Sequence, residues 1–243
     1  MALLFDKNTT GEDIARNLAH HISGKVICTT GVSPGGLGAS FVEIIAKQHP
    51  KLLILAGRKA SKVQQTADAI LKNSPGVQIR VLELDLGSQT QVRKAAEEVN
   101  SYEEPSIDVL VNNAGIMACP YRTTPEGIES QFGTNHIGHF LFTNLIMGKI
   151  LASGPSPRVI SVASDGYRLS PIRYDWKFDV STSPCVAEGN YLLITHMFRT
   201  AKLTTDGWHM ANQRRQICYS PSRWLRNLVR RASFASASIL VWL

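Results

Sequence analysis

Strand-like and helix-like segments alternate regularly along the middle of this chain. The strand-like runs are rich in aliphatic and β-branched residues and end in turn residues; they are residues 25–31, 51–58, 77–86, 107–115 and 157–164. Amphipathic helix-like runs lie between them, at residues 37–50, 61–76, 88–100 and 124–153. Short connections between alternating strands and helices favour a parallel sheet with helices on both faces. The sequence therefore predicts a doubly wound α/β fold in a single domain.

Length, composition and cysteine spacing narrow the class of protein further. The chain has 243 residues, of which 44% are hydrophobic, and this is enough to bury one sizeable core. Asp6 and Lys7 interrupt the apolar start, so we expect no signal peptide, and no apolar run approaches the ~20 residues of a membrane span. The four cysteines show no CxxC spacing. We therefore expect a cytoplasmic protein with free thiols and without a zinc site.

The positive charge of the chain is concentrated near its end. The net charge is +7, and the residues from Thr200 onward contain seven basic residues and one acid. The body is therefore nearly neutral. A basic arm can bind phosphate backbones, but this one lacks the aromatic interleaving and repeats of dedicated nucleic-acid binders. We expect no nucleic-acid partner, although a phosphate-binding basic module stays open as an alternative.

The glycine-rich stretch TTGVSPGGLGAS follows the first predicted strand and opens the first predicted helix. This is where a Rossmann fold binds the pyrophosphate of a dinucleotide. Gly31 can turn the chain tightly, while Gly36 and Gly38 allow backbone amides and the helix N-terminus to approach a phosphate. Ser33 and Leu37 complete the predicted phosphate contacts. Ordinary turns also use glycine, so the strand, turn and helix order carries this interpretation.

The residue after the second predicted strand favours NADP over NAD. NAD sites place an acidic residue there, which holds the ribose hydroxyls. This chain has Gly57 and Arg58 in the sequence AGRK and no carboxylate. A guanidinium suits a 2′-phosphate by charge and by bidentate geometry. The alternative is that Arg58 is an ordinary exposed residue at a strand end.

Five quoted stretches together resemble the short-chain dehydrogenase/reductase family. TTGVSPGGLG is similar to its glycine-rich turn, LELDLGS to its adenine-contacting segment, and LVNNAG to its NNAG element. TNHIGHF resembles the helix with the active-site Asn, and RVISVAS the strand with the active-site Ser. The likeness covers about residues 24–179 and is similar to retinol-dehydrogenase-like and WW-domain-oxidoreductase-like members, especially the fungal ones. It implies a nicotinamide-dependent oxidoreductase.

The resemblance assigns further residues to the cofactor site. Asp85 would hold the adenine amino group, and three residues would line the ribose side: Asn113, Ala114 and Gly115. One departure is that the gap from Gly31 to Gly36 is one residue longer than the family motif. The sequence leaves open which of residues 33–36 meets the phosphates.

The resemblance also assigns two residues to catalysis. Asn135 would hold the water of a proton relay, and Ser164 would hydrogen-bond the substrate oxygen. Simpler roles remain open for them: Asn135, like Asn113, could satisfy buried backbone groups, and Ser164 could cap a strand end.

The proton donor of the family is missing from this sequence. Family members use a Tyr-x-x-x-Lys pair one helical turn apart, in which the ammonium lowers the tyrosine pKa from its ordinary value of about 10. None of the six tyrosines has lysine four positions later. The nearest substitute is Tyr219 with Arg223, but Pro221 between them would break the helix.

A change of reading frame is one explanation of the missing pair, and codon degeneracy makes it compatible with the sequence rather than required by it. Residues 207–224, GWHMANQRRQICYSPSRW, show no helical period. If their codons are taken one nucleotide earlier, the residues from His209 onward permit YGQSKTANMLFALS and then LSLHPGV, which are the next elements of the family. Our hypothesis is that the chain leaves its frame between about Asp179 and His209, by a frame shift or mis-splicing. The basic tail would then be accidental.

These observations predict an N-terminal extension (1–23), an NADP-binding domain (24–180) and an atypical basic tail expected to order poorly (181–243). The predicted function is NADP-dependent hydride transfer between nicotinamide and a small alcohol or carbonyl substrate. The alternative is an inactive family member that at most binds NADP(H). The resemblance leaves open a homo-oligomer, and the identity of the substrate is not set by the sequence.

Overall fold

The structure, a computed structural model, describes residues 5–6, 9–163 and 240–242. The strands in this part of the chain are β1 Val26–Thr30, β2 Leu52–Gly57, β3 Gln78–Glu83, β4 Val109–Asn112, β5 Arg158–Val162 and β6 Leu240–Trp242. The helices are α1 Gly11–Asn17, α2 Ala19–Ile22, α3 Leu37–Ala46, α4 Ala60–Asn73, α5 Gln89–Ser101, α6 Ser130–Phe132, α7 His139–Leu145 and α8 Met147–Leu151. A π-helical segment, Gly133–Gly138, joins α6 to α7. The predicted alternation of strands and helices is confirmed.

All strand pairs of the sheet are parallel, and their order is β3-β2-β1-β4-β5-β6. The five predicted strands are present, and the short β6, which was not predicted, extends the sheet beside β5. The chain builds outward from β1 to β3 and then returns to the other side of β1 with β4. This reversal places the carboxyl ends of β1 and β4 at the switch point of the sheet, where doubly wound sheets bind their ligands.

Two apolar clusters cover the two faces of the sheet. Along β1, Val26 and Cys28 belong to one cluster, with residues of α5 and α7, while Ile27 belongs to the other, with residues of α3 and α4. All six residues of β2 are buried. Strands that are buried on both faces read as continuous apolar runs, which explains why the sequence pattern located them well.

The predicted helix over residues 124–153 is wrong in its extent and continuity. Its first part forms a turn, with a β-bridge between Thr123 and Glu129 and a positive φ of 76° at Gly127. The Glu129 carboxylate then caps α6, and the segment continues through the π-helical turns into α7. At Ile146, φ is −98° and ψ is 6°, so the backbone leaves helical geometry between α7 and α8.

The N-terminal residues, which the sequence assigns to an extension, form α1 and α2. α1 starts with a capping box between Thr10 and Asp13, buries Ala15 and packs against α3. The described residues form two compact units. The first contains α1 and α2 and spans residues 5–116, 123–163 and 240–242, and the second contains Met117–Arg122. Within the described residues, no helix is long and apolar enough to cross a membrane.

Candidate functional site

Gly31 and Gly38 allow the turn after β1 to pack directly on the loop after β4. Gly31 has φ of +75°, and a Cβ atom there would lie 2.6 Å from the Cα of Ala114. A Cβ at Gly38 would lie 2.5 Å from the Gly31 carbonyl oxygen and 2.5 Å from Nδ2 of Asn113. Real side chains do not approach backbone this closely, so both positions require glycine.

The additional residue of the glycine-rich turn is contained in an exposed type II turn. The Gly36 N–H donates to the Ser33 carbonyl at 3.1 Å. Pro34 and Gly35 occupy the two central positions, and Gly35 has φ of +74°, which is the usual sequence and geometry of a type II turn. The longer gap therefore leaves Gly36 at the start of α3, and Ser33 is exposed at the beginning of the turn.

The N-terminus of α3 is suited to bind an anion. Gly36 is its N-cap and makes no side-chain capping bond, and the first turn contains no acidic residue. Leu37, the first helical residue, is 83% exposed. The backbone N–H groups of this turn and the positive end of the helix dipole favour a phosphate. The glycine turn and this helix start therefore fit the pyrophosphate of a dinucleotide.

The loop after β4 is fixed to the end of β1 by hydrogen bonds. Oγ1 of Thr30 accepts from the backbone N–H groups of Asn113 and Ala114, both at 3.0 Å. Nδ2 of Asn113 donates to the carbonyl oxygens of Thr30 at 2.9 Å and of Gly31 at 3.2 Å. The structure thus brings the predicted ribose-side residues against the predicted phosphate turn, and Asn113 satisfies backbone groups there.

Asn135 fixes the next part of the same loop. Its Oδ1 accepts from the N–H of Ile116 and its Nδ2 donates to the carbonyl of Ile116, both at 2.9 Å. Gly115 lies beside these two hydrogen bonds, since a Cβ there would be 3.5 Å from Oδ1 of Asn135. Each polar atom of the amide keeps capacity for one more hydrogen bond, and the Asn135 side chain is exposed.

Thr30 and His139 belong to this site but were missed by sequence reasoning. Nε2 of His139 lies 3.0 Å from Oγ1 of Thr30, and its Nδ1 lies 3.1 Å from the Asn135 carbonyl oxygen. Burial of the ring lowers the pKa of His139 from its ordinary value. The sequence signal was weak, because one buried histidine on an apolar helix face is usually a core residue.

Arg58 and Asp85 lie at the carboxyl edge of the sheet, after β2 and β3. Arg58 is exposed, and among the described residues it makes no ion pair. Oδ1 of Asp85 accepts from the N–H of Gly87 at 2.9 Å. The strand order β3-β2-β1 places both residues on the same edge as the glycine turn.

Ser164 lies outside the described residues, immediately after Ala163, so its predicted role stays a prediction. The same holds for Tyr219 and the rest of the predicted tail up to residue 239. Of the two described tyrosines, Tyr102 donates to the Glu98 carboxylate at 2.9 Å, and its pKa is raised mainly by burial. In the described part of the chain, no group of three metal-ligating side chains comes together.

Known proteins resemble this chain in sequence and fold. The profile of the short chain dehydrogenase family matches residues 25–171. Oxidoreductase fscI of Fusarium equiseti is 40% identical over 175 residues, 70% of this chain and 67% of that protein. Human retinol dehydrogenase 14 is 38% identical over 165 residues, 63% of this chain and 48% of that protein.

Solved structures show the same fold at lower identity. A short chain dehydrogenase/reductase from Burkholderia phymatum in complex with NAD has a TM-score of 0.57 at 20% identity, covering 90% of this chain and 66% of its own. Levodione reductase has a TM-score of 0.51 at 22% identity, covering 73% of this chain and 63% of its own.

This chain spans 48% to 67% of the length of the first curated relatives that it matches. The matched part contains all the described strands of the sheet except β6, together with the glycine turn and the loop after β4. The profile match over more than half of the residues, together with the doubly wound sheet, shows that this chain belongs to the short-chain dehydrogenase family.

Proposed function

We propose that this chain binds a nicotinamide dinucleotide, NADP(H) in preference to NAD(H), in an oxidoreductase that acts on a small alcohol or carbonyl compound. The observation that carries the proposal is the close packing of Gly31 and Gly38 against Ala114 and Asn113. This packing holds the N-terminus of α3, which has no side-chain cap, beside the loop after β4, and both lie at the switch point between β1 and β4.

The residues have separate roles in this proposal. The first turn of α3 would hold the pyrophosphate, Asp85 the adenine, and the loop from Asn113 to Gly115 the ribose beside the nicotinamide. The cofactor, when bound, supplies the hydride acceptor or donor. Asn135 would hold a water molecule through the remaining hydrogen-bond capacity of its amide, and Ser164 would orient the substrate oxygen.

The preference for NADP(H) depends on Arg58. It is exposed and without an ion pair among the described residues, so its guanidinium can receive a 2′-phosphate. A fold relative is an NAD complex, so the fold does not choose between the cofactors. We expect Arg58→Gln to weaken NADPH binding by roughly 10- to 100-fold, the scale of a hydrogen bond to a charged group, and to leave NADH binding unchanged.

Arg93→Gln is the matched control for this experiment. Arg93 is an exposed residue of α5 to which the proposal gives no role, so its replacement removes the same charge without removing a proposed contact. Both variants are titrated with NADPH and NADH by following the fluorescence of the reduced nicotinamide. Equal weakening of NADPH binding by the two variants would show a general charge effect and contradict the assignment of Arg58.

Binding without turnover is the second candidate function. It is favoured by the sequence, in which no tyrosine has lysine four positions later. Turnover is measured with NADPH and a panel of aldehydes and ketones, and with NADP and the corresponding alcohols. Saturable binding without turnover supports the second candidate. Turnover that is lost in Tyr191→Phe or Tyr219→Phe would show that one of these residues replaces the missing proton donor.

The frame hypothesis has its own test, which is independent of protein activity. The transcript is sequenced across the codons for Cys185 to Arg215. A spliced message encoding AYGQSKTAN would support a shifted frame and an ordinary catalytic family member. A message encoding HMANQRRQ would contradict it and leave the chain with the cofactor half of the site.

A further inference from the structure

His139 joins two parts of the site that are far apart in sequence. His139 is 6% exposed and is the first residue of α7, and its ring faces Thr30 at the end of β1. One ring nitrogen faces the hydroxyl of Thr30 at 3.0 Å and the other faces the carbonyl oxygen of Asn135 at 3.1 Å. Both nitrogens are therefore within hydrogen-bonding distance of a defined partner.

The partners determine which nitrogen carries the proton. A carbonyl oxygen only accepts, so Nδ1 must donate to Asn135. Neutral imidazole has one N–H group, so Nε2 must then accept from Thr30. The hydrogen bonds of the Thr30 hydroxyl lead independently to the same conclusion, that Nε2 of His139 accepts a proton from Thr30. Its oxygen already accepts two backbone N–H groups, from Asn113 and Ala114, which occupy both lone pairs, so it must donate its proton.

The alternative acceptor for that proton is less suitable. The Val111 carbonyl lies 3.5 Å from Oγ1 of Thr30, against 3.0 Å for Nε2 of His139. Hydroxyl hydrogen bonds are usually about 2.5–3.0 Å long. The hydroxyl of Thr30 therefore donates its proton to Nε2 of His139. The Asn113 and Ala114 amides donate to Thr30 in turn, and Nδ1 of His139 donates to the Asn135 carbonyl.

The contact with Asn135 also coincides with the irregular helix. The imidazole N–H binds the carbonyl oxygen of Asn135, four residues earlier in the same helical segment. Side chains that enter the backbone ladder are a recognised cause of helix irregularity, and π-turns occur often at functional sites. The π-helical turns at Gly133–Gly138 contain Asn135 and set its side chain against Ile116.

We propose that His139 is a positioning residue of the cofactor site: as the neutral Nδ1–H imidazole, it holds the Asn135 helix and the loop from Asn113 to Ile116 in one fixed arrangement through Thr30. The proposal rests on the proposed function in that the loop is taken to contact the nicotinamide ribose. In this proposal His139 acts through its contacts with Thr30 and Asn135 and not by contact with cofactor or substrate.

The first test concerns the tautomer and needs no activity. Long-range ¹H–¹⁵N NMR spectra of the full chain labelled with ¹⁵N-histidine, assigned by comparison with His139→Gln, distinguish the two neutral tautomers and the imidazolium. We expect the His139 signals of the Nδ1–H form at pH 7. An Nε2–H tautomer or an imidazolium at this pH would overturn the proposal.

The second test measures NADPH affinity in a double-mutant cycle. His139→Phe keeps an aromatic ring without the nitrogens, and Thr30→Val keeps the shape without the hydroxyl. Each is expected to weaken NADPH binding by the folded protein about tenfold, the scale of one buried hydrogen bond. The double variant is expected to lose much less than the product of the two effects, because both act on one network.

Urea unfolding and a conservative variant separate positioning from folding. Thr30→Ser retains the hydroxyl and should bind NADPH within about threefold of the unmodified chain, a small part of one hydrogen bond. Variants with lower stability but unchanged affinity in their folded form would overturn the proposal. If the unmodified, folded chain binds neither NADPH nor NADH, the proposed function fails and the positioning role fails with it. Unchanged affinity in His139→Phe refutes only the latter.

Discussion

Replacing Gly38 by alanine tests the packing on which the proposed cofactor site depends. The new Cβ atom would lie 2.5 Å from the Gly31 carbonyl oxygen and 2.5 Å from Nδ2 of Asn113. The carbonyl belongs to the backbone at the end of β1 and cannot move aside as a flexible side chain would. The turn must therefore separate from the loop after β4, or α3 must shift.

The expected magnitude follows from the groups displaced. Overpacking of a well-packed site costs about 1–3 kcal/mol. Displacing Asn113 also weakens its bonds to the Thr30 and Gly31 carbonyls, at 2.9 and 3.2 Å, each contributing about 1 kcal/mol. We expect Gly38→Ala to lower the free energy of unfolding by about 2–4 kcal/mol. NADPH affinity should fall at least tenfold, because the first turn of α3 moves.

Gly148→Ala is the matched control. Gly148 lies in α8 with no atom within 4 Å of an added Cβ, so alanine there should be neutral or stabilising by about 0.5–1 kcal/mol. Urea unfolding gives the stability of both variants and fluorescence titration gives their NADPH affinity. A Gly38→Ala protein as stable and as tightly binding as Gly148→Ala would refute the packing argument.

Three further predictions concern the described residues. Burial raises the pKa of the Cys28 thiol to about 12, so a thiol reagent at pH 8 should modify the half-buried Cys119 and leave Cys28 unmodified until unfolding; equal rates would contradict this. Thr66→Val should reduce stability by about 1–3 kcal/mol, measured in urea, because the 2.7 Å bond from the Thr66 hydroxyl to the Val32 carbonyl is lost; Thr66→Ser should restore it. The pKa of His139 is lowered in the folded chain, so the chain takes up a proton when it unfolds at low pH. The free energy of unfolding should therefore decrease as the pH drops below the ordinary histidine value of about 6.5. Urea unfolding of His139→Gln should show a smaller decrease in this free energy between pH 7 and 5.

The sheet and its flanking helices were predictable, because β1 to β5 are short, largely apolar and separated by amphipathic helices. The sequence was less informative where polar contacts decide the geometry. The helix predicted to begin at Ser61 begins at Ala60, without a side-chain cap. The predicted helix over residues 124–153 begins six residues late, because the Thr124 hydroxyl and the Glu129 carboxylate bind backbone groups of the preceding turn and of α6.

The candidate site was predictable where it depends on local motifs and not where it depends on distant partners. The turn at Gly31 to Gly38 and the NNAG loop are continuous stretches. The contact between Thr30 and His139 joins residues 109 positions apart, and no local pattern in one sequence shows such a pair. The type II turn at Ser33 explains the longer motif only because the φ value of Gly35 is visible in the structure.

Calorimetric titration of the full chain with NADPH tests most directly whether the chain contains all the residues needed to bind the cofactor. The proposed function predicts saturable binding at one site per chain, tighter for NADPH than for NADH, whether or not turnover accompanies it. A chain that unfolds cooperatively in urea, and is therefore folded, but takes up neither NADPH nor NADH would contradict this.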